Sequence, residues 1–173
     1  SENMPPTGNL ALNRAITASS AENSFLTAAC ANDGNTATRW ASVEKSDPQW
    51  LMVDLGSPCT VARVVLRWET AYAVGYQIQV STDSINWQTA YSTGSGDGGT
   101  DDISFAAVNA RYVRMYGTQR YYPRYGYSLW EMEVYGSENM PPTGNLALNR
   151  AITASSVESS FLTASCSNDG NAN

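Results

Sequence analysis

The stretch QWLMVDL at residues 49–55 and the stretch TVARVVLRWE at residues 60–69 decide the fold class. The first is a short, mostly apolar run that ends at the turn residues Gly56-Ser57-Pro58, and the second is rich in β-branched residues. Short apolar or β-branched runs bounded by turn residues are typical of strands. Both stretches are therefore predicted to be strands.

Similar patterns recur on the C-terminal side of this pair. Residues 76–80 alternate with period two and predict a hairpin with residues 87–93. Further strands are predicted at residues 103–105, 111–116 and 129–135, and the only helical indication is a turn near residues 26–31. Strands at short, regular spacing with turns between them predict an all-β fold, a jelly-roll β-sandwich.

Composition and charge exclude several functional classes. The 173 residues include 10 Lys and Arg against 16 Asp and Glu, a net charge of −6, which disfavours nucleic acid and anionic lipid as partners. The sequence contains no His, so Ser-His-Asp catalysis and His-ligated zinc are excluded. There is no apolar run of about 18 residues, so no membrane span is predicted.

An internal repeat predicts the domain boundaries. Residues 1–37 recur as residues 137–173, and because six positions differ, 31 of the 37 agree. The predicted organisation has four parts: a linker at 1–8, a complete module at 9–136, a second linker at 137–144 and the truncated start of a near-identical module at 145–173. The truncated copy is too short to bury a core of its own.

A set of motifs in the complete module resembles a known family. In chain order they are NLA at 9–11, NDGN at 32–35, TRWAS at 38–42, QWLMVDLG at 49–56, YQIQVSTD at 76–83, ARYVR at 110–114 and WEMEVYG at 130–136. Over residues 9–136 the chain resembles the discoidin, or coagulation-factor type C, domain, and within that group carbohydrate-binding module family 32 of secreted bacterial glycosidases. The resemblance implies a jelly-roll sandwich, a shallow sugar pocket among loops at one end, and a structural calcium ion.

The loop at residues 30–38 has the chemistry of a calcium site. Calcium takes hard oxygen ligands, many of them main-chain carbonyls, and Gly34 lets a short acidic turn direct several carbonyls to one centre. The ligands that the resemblance implies are the side chains of Asp33, Thr38 and Glu131, with main-chain oxygens near Cys30 and Asn35. From the residues alone, a plain Asx turn at Asp33 is the alternative.

The complete module contains two cysteines, Cys30 and Cys59. An even number of cysteines in a secreted protein is compatible with a disulfide. Two buried free thiols are the alternative. Both possibilities stay open at this point.

The resemblance implies a sugar site built from loops at residues 21–27, 39–47, 68–76 and 119–128. The predicted ligand-binding residues are Glu22, Arg39, Glu44, Lys45, Glu69, Tyr125 and Tyr127. A tyrosine ring presents a flat face to the C–H face of a sugar, and an arginine presents a fork of donors to vicinal hydroxyls. Tyr127 is preferred among the tyrosines, and Arg39 has a structural ion pair as its alternative role.

Three glutamates in these loops favour a cationic sugar. Family members that bind galactose-type sugars tend to use a His, which this chain lacks. Glucosamine, the unit of chitosan, carries an ammonium that can pair with a carboxylate or lie over a tyrosine face. This combination is similar to the paired discoidin modules of bacterial chitosanase/glucanases. We therefore predict a secreted, extracellular, non-catalytic module that binds chitosan or glucosamine oligosaccharides and is linked to a second module and a glycoside hydrolase.

Three other functions compete with this prediction. The first is binding of a neutral sugar of the galactose or N-acetylhexosamine type. The second is adhesion or phospholipid binding, which acidic, tyrosine-rich loops disfavour because lipid insertion needs apolar tips with basic support. The third is glycoside hydrolysis by paired carboxylates such as Glu44 and Glu69, which a shallow, wet site disfavours.

Overall fold

The computed structural model describes residues 8–138, which belong to the first of two units of the chain, Ser1–Asn139. The predicted truncated copy at residues 145–173 and nearly all of both predicted linkers lie outside the described residues.

The described part of the chain is built almost entirely of strands. They are β1 (Ala15–Ala18), β2 (Trp40–Ala41), β3 (Gln49–Trp68), β4 (Ala73–Ser81), β5 (Gln88–Thr93), β6 (Thr100–Arg120) and β7 (Ser128–Glu138). A single 3₁₀ turn, Ala28–Ala31, lies where the sequence indicates a helical turn. Between residues 8 and 138 no helix is long and apolar enough to cross a membrane. The prediction of an all-β, jelly-roll fold is confirmed.

Two long strands connect the layers of the sandwich. The predicted strands at 49–55 and 60–69 are one continuous strand, β3, whose register shifts between Asp54 and Cys59. Gly56, with φ of 86°, lies in this irregular segment, where a left-handed backbone favours glycine. The first half of β3 pairs with β1 and the second half pairs with β7, while β6 pairs with both halves. The irregular segment of β3 between Asp54 and Cys59 therefore divides one hydrogen-bonded sheet into two facing layers.

The core lies between these layers, and the sheet order fixes where the functional loops emerge. Inward residues of β3 such as Leu51, Val53 and Leu66 are fully buried. The strands are ordered β2-β7-β3-β6-β4-β5. Four strand ends lie together at one end of the sandwich: the end of β3, the start of β4, the end of β6 and the start of β7. Trp68 of β3 pairs there with Leu129 of β7, and Ala73 of β4 pairs with Arg120 of β6.

The two cysteines of the described module are not joined by a disulfide. The Cys30 sulfur is partly exposed and donates to the main-chain oxygen of Phe25 at 3.6 Å. Cys59 is buried, and its sulfur donates to the main-chain oxygen of Ser57 at 3.4 Å. The prediction of a Cys30–Cys59 disulfide is therefore wrong, and Cys30 is only partly buried.

Candidate functional site

Loops at this end of the sandwich enclose a cavity of about 380 Å³ that we name the acidic cleft. Its lining residues are Glu22, Arg39, Ala41, Glu44, Glu69, Thr70, Ala71, Tyr125, Gly126, Tyr127 and Ser128. Six of the seven predicted ligand-binding residues are among them. The exception is Lys45, which is exposed outside the lining and contributes its main-chain N–H to the Tyr125 carbonyl at 3.3 Å.

Main-chain hydrogen bonds hold the loops of the cleft against each other. The N–H of Glu69 donates to the Ser128 carbonyl at 3.0 Å, and the N–H of Ser128 donates to the Ala71 carbonyl at 2.8 Å. On the other side, the N–H of Ser42 donates to the Tyr127 carbonyl at 2.9 Å. Because these contacts are between backbones, the loops keep their positions when a lining side chain changes.

Arg39 is oriented by a hydroxyl. Its Nη1 donates to Ser128 Oγ at 2.8 Å, and that hydroxyl donates to the Trp40 carbonyl at 3.0 Å. Within residues 8–136, no carboxylate lies in salt-bridge distance of the Arg39 guanidinium. The structural ion-pair alternative is therefore not supported, and the guanidinium lines the cleft.

The carboxylates give the cleft its negative charge. Glu69 is half-buried and Glu22 and Glu44 are exposed, so three carboxylates face one guanidinium. Burial opposes ionisation of Glu69, but hydrogen bonds from Ala71 and Thr70 and the nearby charge of Arg39 outweigh it and lower its pKa. Glu69 is therefore a fixed anion at neutral pH, and the cleft favours a cation.

The preferred prediction of Tyr127 as the sugar-contacting ring requires correction. Its side chain is fully buried, and its hydroxyl donates to the Asp47 carboxylate. The ring packs so closely on Gly117 that an added Cβ there would lie 2.6 Å from it. Burial and the bond to Asp47 raise the pKa of Tyr127. Tyr127 is therefore part of the floor, and Tyr125, which is 51% exposed, presents the open ring.

Two residues that do not line the cleft, and that were not among the predicted site residues, support Tyr127. Asp47, which accepts the hydroxyl of Tyr127, also forms an ion pair with Arg120 at 3.2 Å. Asp47 and Tyr127 are 80 positions apart, and no local pattern in the sequence links them. Arg120 ends β6 and therefore fixes this floor to the sheet.

The predicted calcium loop forms an Asx turn that faces a buried carboxyl. Asp33 Oδ1 accepts the N–H of Asn35 at 2.8 Å, and Oδ2 accepts the Thr38 hydroxyl at 2.7 Å. Glu131 on β7 is 2% exposed, and neither of its carboxylate oxygens has a hydrogen-bond partner. Burial and the adjacent Asp33 raise the pKa of Glu131 to about 7.

This arrangement fits a calcium ion. Two adjacent carboxyls, one of them buried without a donor, supply hard oxygens of the kind that calcium prefers. The described residues hold no cluster of three or more His, Cys, Asp or Glu side chains, so a cation there also needs main-chain oxygens. The carbonyl of Asn35 accepts the Thr38 hydroxyl at 2.8 Å and therefore lies in the same loop cluster.

Comparisons with known proteins agree with this fold. A model of the F5/F8 type C group, described as a NedA-like, galactose-binding domain, matches residues 30–115. The crystal structure of chitosan-binding module 1 derived from a chitosanase/glucanase of Paenibacillus sp. IK-5 is 59% identical, with a TM-score of 0.73, and the match covers 75% of this chain and all (100%) of that one.

Two further matches extend the comparison. Chitosan-binding module 2 of the same Paenibacillus enzyme, solved with chitotriose, is 55% identical with a TM-score of 0.72, over 74% of this chain and 100% of that one. The polysaccharide lyase 8 family protein HylA of Enterococcus faecalis is 31% identical over 116 residues, which are 63% of this chain and only 8% of that protein. The resemblance noted in the sequence is thus confirmed, and the chain belongs to the F5/F8 type C, or discoidin, family of carbohydrate-binding modules.

Proposed function

We propose that the acidic cleft binds chitosan or glucosamine oligosaccharides. The observation that carries this proposal is the convergence of three carboxylates, from Glu22, Glu44 and Glu69, around a single guanidinium. Carboxylates also accept hydrogen bonds from the hydroxyls of neutral sugars, but an excess of negative charge favours a sugar that brings an ammonium, as each glucosamine unit does. The identity of 59% to a chitosan-binding module supports the same ligand.

Different lining residues contact different groups of a glucosamine unit. Glu69 is held by the N–H of Ala71 at 3.0 Å and offers an oriented carboxylate to an ammonium, a charge-assisted hydrogen bond. Arg39 donates to sugar hydroxyls from a guanidinium that Ser128 orients. The exposed ring of Tyr125 lies under the C–H face of the sugar. Glu22 and Glu44, on the exposed rim, add attraction for neighbouring ammoniums.

The proposal includes a targeting role for the module. The chitosan-binding modules that it resembles derive from a chitosanase/glucanase, which supports attachment to a secreted, extracellular glycoside hydrolase. The repeat at residues 137–173 supports a second module in the same protein. Two linked modules on one polysaccharide bind more tightly than either alone, because the second binding event is intramolecular.

We further propose a structural calcium ion held by the side chains of Asp33, Thr38 and Glu131 and by main-chain oxygens near Cys30 and Asn35. The support is the buried Glu131 carboxyl, whose oxygens have no hydrogen-bond partner beside a second carboxylate. The ion would compensate both negative charges and attach the loop at residues 30–38 to β7. Its role is to hold this loop in place.

A neutral sugar is the second candidate ligand, because the matching family model describes a galactose-binding domain. The decisive experiment titrates the full chain calorimetrically with a glucosamine trimer, an N-acetylglucosamine trimer and a galactose-type oligomer. We expect binding of the glucosamine trimer alone. Equal or tighter binding of a neutral oligomer would overturn the role of the carboxylates. No binding of any oligomer would favour the adhesion or phospholipid alternative, which co-sedimentation with liposomes then tests.

A further inference from the structure

Four tyrosines beside the acidic cleft form a continuous row of rings, and three of them have no part in the cleft. Tyr72 stacks on Tyr121, with centroids 4.4 Å apart and planes 15° apart. Tyr121 meets Tyr122 edge to face at 4.6 Å, and Tyr122 meets Tyr125 edge to face at 5.7 Å. We name these residues the tyrosine row. It begins at the cleft, because Tyr125 is one of the lining residues.

The row is held rigidly by its surroundings. Gly98, with φ of 78°, packs on Tyr72 so closely that an added Cβ would lie 2.7 Å from the ring. The main-chain N–H of Tyr121 donates to the Tyr72 carbonyl at 3.0 Å, and that of Tyr125 donates to the Tyr122 carbonyl at 3.3 Å. A surface that is ordered before binding loses little conformational entropy when a ligand arrives.

The outer rings of the row are exposed. Tyr121 is 47% and Tyr122 38% exposed, and with Tyr125 they are three of the seven large hydrophobic residues exposed between residues 8 and 136. The other four are Leu12, Phe25, Val43 and Ile85. These tyrosines contact each other and are not part of the hydrophobic core. Contiguous exposed aromatic surface of this kind marks a binding site rather than core packing.

The occupant follows from continuity with the cleft. The segments at residues 69–72 and 121–127 each supply residues to both the cleft and the row, so a chain leaving the cleft past Tyr125 lies over Tyr122 and Tyr121. Beyond them lies Tyr72. Its pKa is raised by burial, by its tyrosine neighbours and by the charge of Asp97. The row thus leads from the carboxylates of the cleft towards the carboxylate of Asp97, which suits a polycation.

We propose that the tyrosine row is a second subsite, which takes the continuation of the glucosamine chain beyond the units held in the acidic cleft. This inference rests on the proposed function of the cleft and extends it from a short oligosaccharide to a longer chain. Sugar C–H faces and ammonium groups lie against the exposed tyrosine rings, and each ring adds to the affinity for long chains only.

The test compares ligand lengths in the full chain. Calorimetric affinities for a glucosamine trimer and hexamer are measured for the unchanged chain and for Tyr121→Ala and Tyr122→Ala. We expect both variants to keep the trimer affinity and to lose about two- to tenfold in hexamer affinity, from contacts of roughly 0.5–1.5 kcal/mol per ring. Tyr121→Phe, which keeps the ring, should retain most of the hexamer affinity. Ile85→Ala, at the turn after β4, is the control for an exposed apolar residue elsewhere.

The outcomes separate the row from the cleft. A hexamer can place more of its units in the cleft than a trimer can, and this raises its affinity statistically. The variants keep that statistical gain. Only a change in the ratio of hexamer affinity to trimer affinity is therefore evidence for the row. An unchanged ratio in both alanine variants would overturn the second subsite while leaving the cleft intact. Hexamer binding that depends on Tyr121 and Tyr122, without trimer binding, would support the row and overturn the cleft. No binding of either ligand would overturn both.

Discussion

The module places carboxylates in two settings, the acidic cleft and the Asp33–Glu131 pair, and the two differ in burial. In the cleft, Glu22 and Glu44 are exposed and Glu69 is half-buried. In the pair, Glu131 is 2% exposed and lacks a hydrogen-bond donor. An exposed carboxylate is stable as an anion without a partner, whereas a buried one needs a counter-charge or takes up a proton.

This difference in burial matches the two different cations proposed for the two sites. The cleft is open, so its cation can be an ammonium that arrives and leaves with a sugar chain. The pair is closed by β7 and by the loop at residues 30–38, so it fits a resident ion bound by main-chain oxygens as well. On the functions proposed above, the same side-chain chemistry would serve reversible recognition in one place and the stability of the fold in the other.

The largest effect is expected from Glu69→Gln on glucosamine binding. The glutamine can still accept the N–H of Ala71, so the loop keeps its shape while the negative charge is lost. A charge-assisted hydrogen bond contributes about 1.5–3 kcal/mol, so the affinity for the trimer should fall roughly ten- to hundredfold in calorimetric titration.

Asp102→Asn is the matched control for this loss of charge. Asp102 pairs with Arg63 on the exposed surface of β6, away from the cleft lining, and surface pairs of this kind contribute little to stability. An equal loss of affinity in Asp102→Asn and Glu69→Gln would show that net charge, and not the position of Glu69, governs binding.

The next effect concerns calcium and thermal stability. If the pair holds calcium, a chelator should lower the unfolding temperature, and added calcium should restore it. At a calcium concentration of 100 times the Kd, calcium binding raises the free energy of unfolding by about 2.7 kcal/mol. This corresponds to a rise in the unfolding temperature of roughly 5–20 °C for a domain of this size. Differential scanning calorimetry of the full chain measures the shift.

Glu131→Gln distinguishes the ion from a general salt effect. This variant should lose the response to calcium, while Glu69→Gln should keep it. In chelator, Glu131→Gln should unfold at the same temperature as the unchanged chain or a higher one, because it no longer buries an uncompensated charge. A calcium response that persists in Glu131→Gln would place the ion elsewhere.

The strands could be predicted from the sequence, but their continuity could not. The apolar and β-branched runs at residues 49–55 and 60–69 mark two β segments, and the turn residues between them predict a break. The structure continues the strand across the irregular segment between Asp54 and Cys59, because β6 runs beside both segments and pairs with each. That pairing depends on residues some 50 positions away, which no local pattern encodes.

For the cleft, the sequence predicted the residues better than their roles. The glutamates and Arg39 could be placed in loops at one end, since the family motifs fix the loops. The choice of Tyr127 over Tyr125 failed because both lie in one short loop, and only the packing on Gly117 and the bond to Asp47 bury one ring and expose the other. Contacts with residues distant in the sequence determine which of the two rings is buried, and only the exposed ring can contact a sugar.

A smaller effect is expected from acid. The pKa of Glu69 lies below its ordinary value of 4.5, so the carboxylate stays ionised as the pH falls from 7 to 5. Below that pKa the proton removes the charge, so the affinity for glucosamine should decline only at pH values below 4.5. Calorimetric titrations at each pH measure the decline, with circular dichroism to verify the fold. Glu69→Gln should show a weaker pH dependence than the unchanged chain, and an equal dependence would remove Glu69 from the interaction.

The smallest effect on the unfolding temperature is expected from a reducing agent. This experiment tests whether a disulfide holds the loop at residues 30–38. A disulfide from Cys30 to Cys59 would stabilise the fold by about 2–4 kcal/mol, so dithiothreitol would lower the unfolding temperature by several degrees. Since both sulfurs donate to main-chain oxygens instead, the shift should be below about 1 °C. In denaturant without reductant, Cys30 should react with a thiol reagent. An unreactive Cys30 together with a dithiothreitol-sensitive unfolding temperature would mean that a disulfide holds this loop.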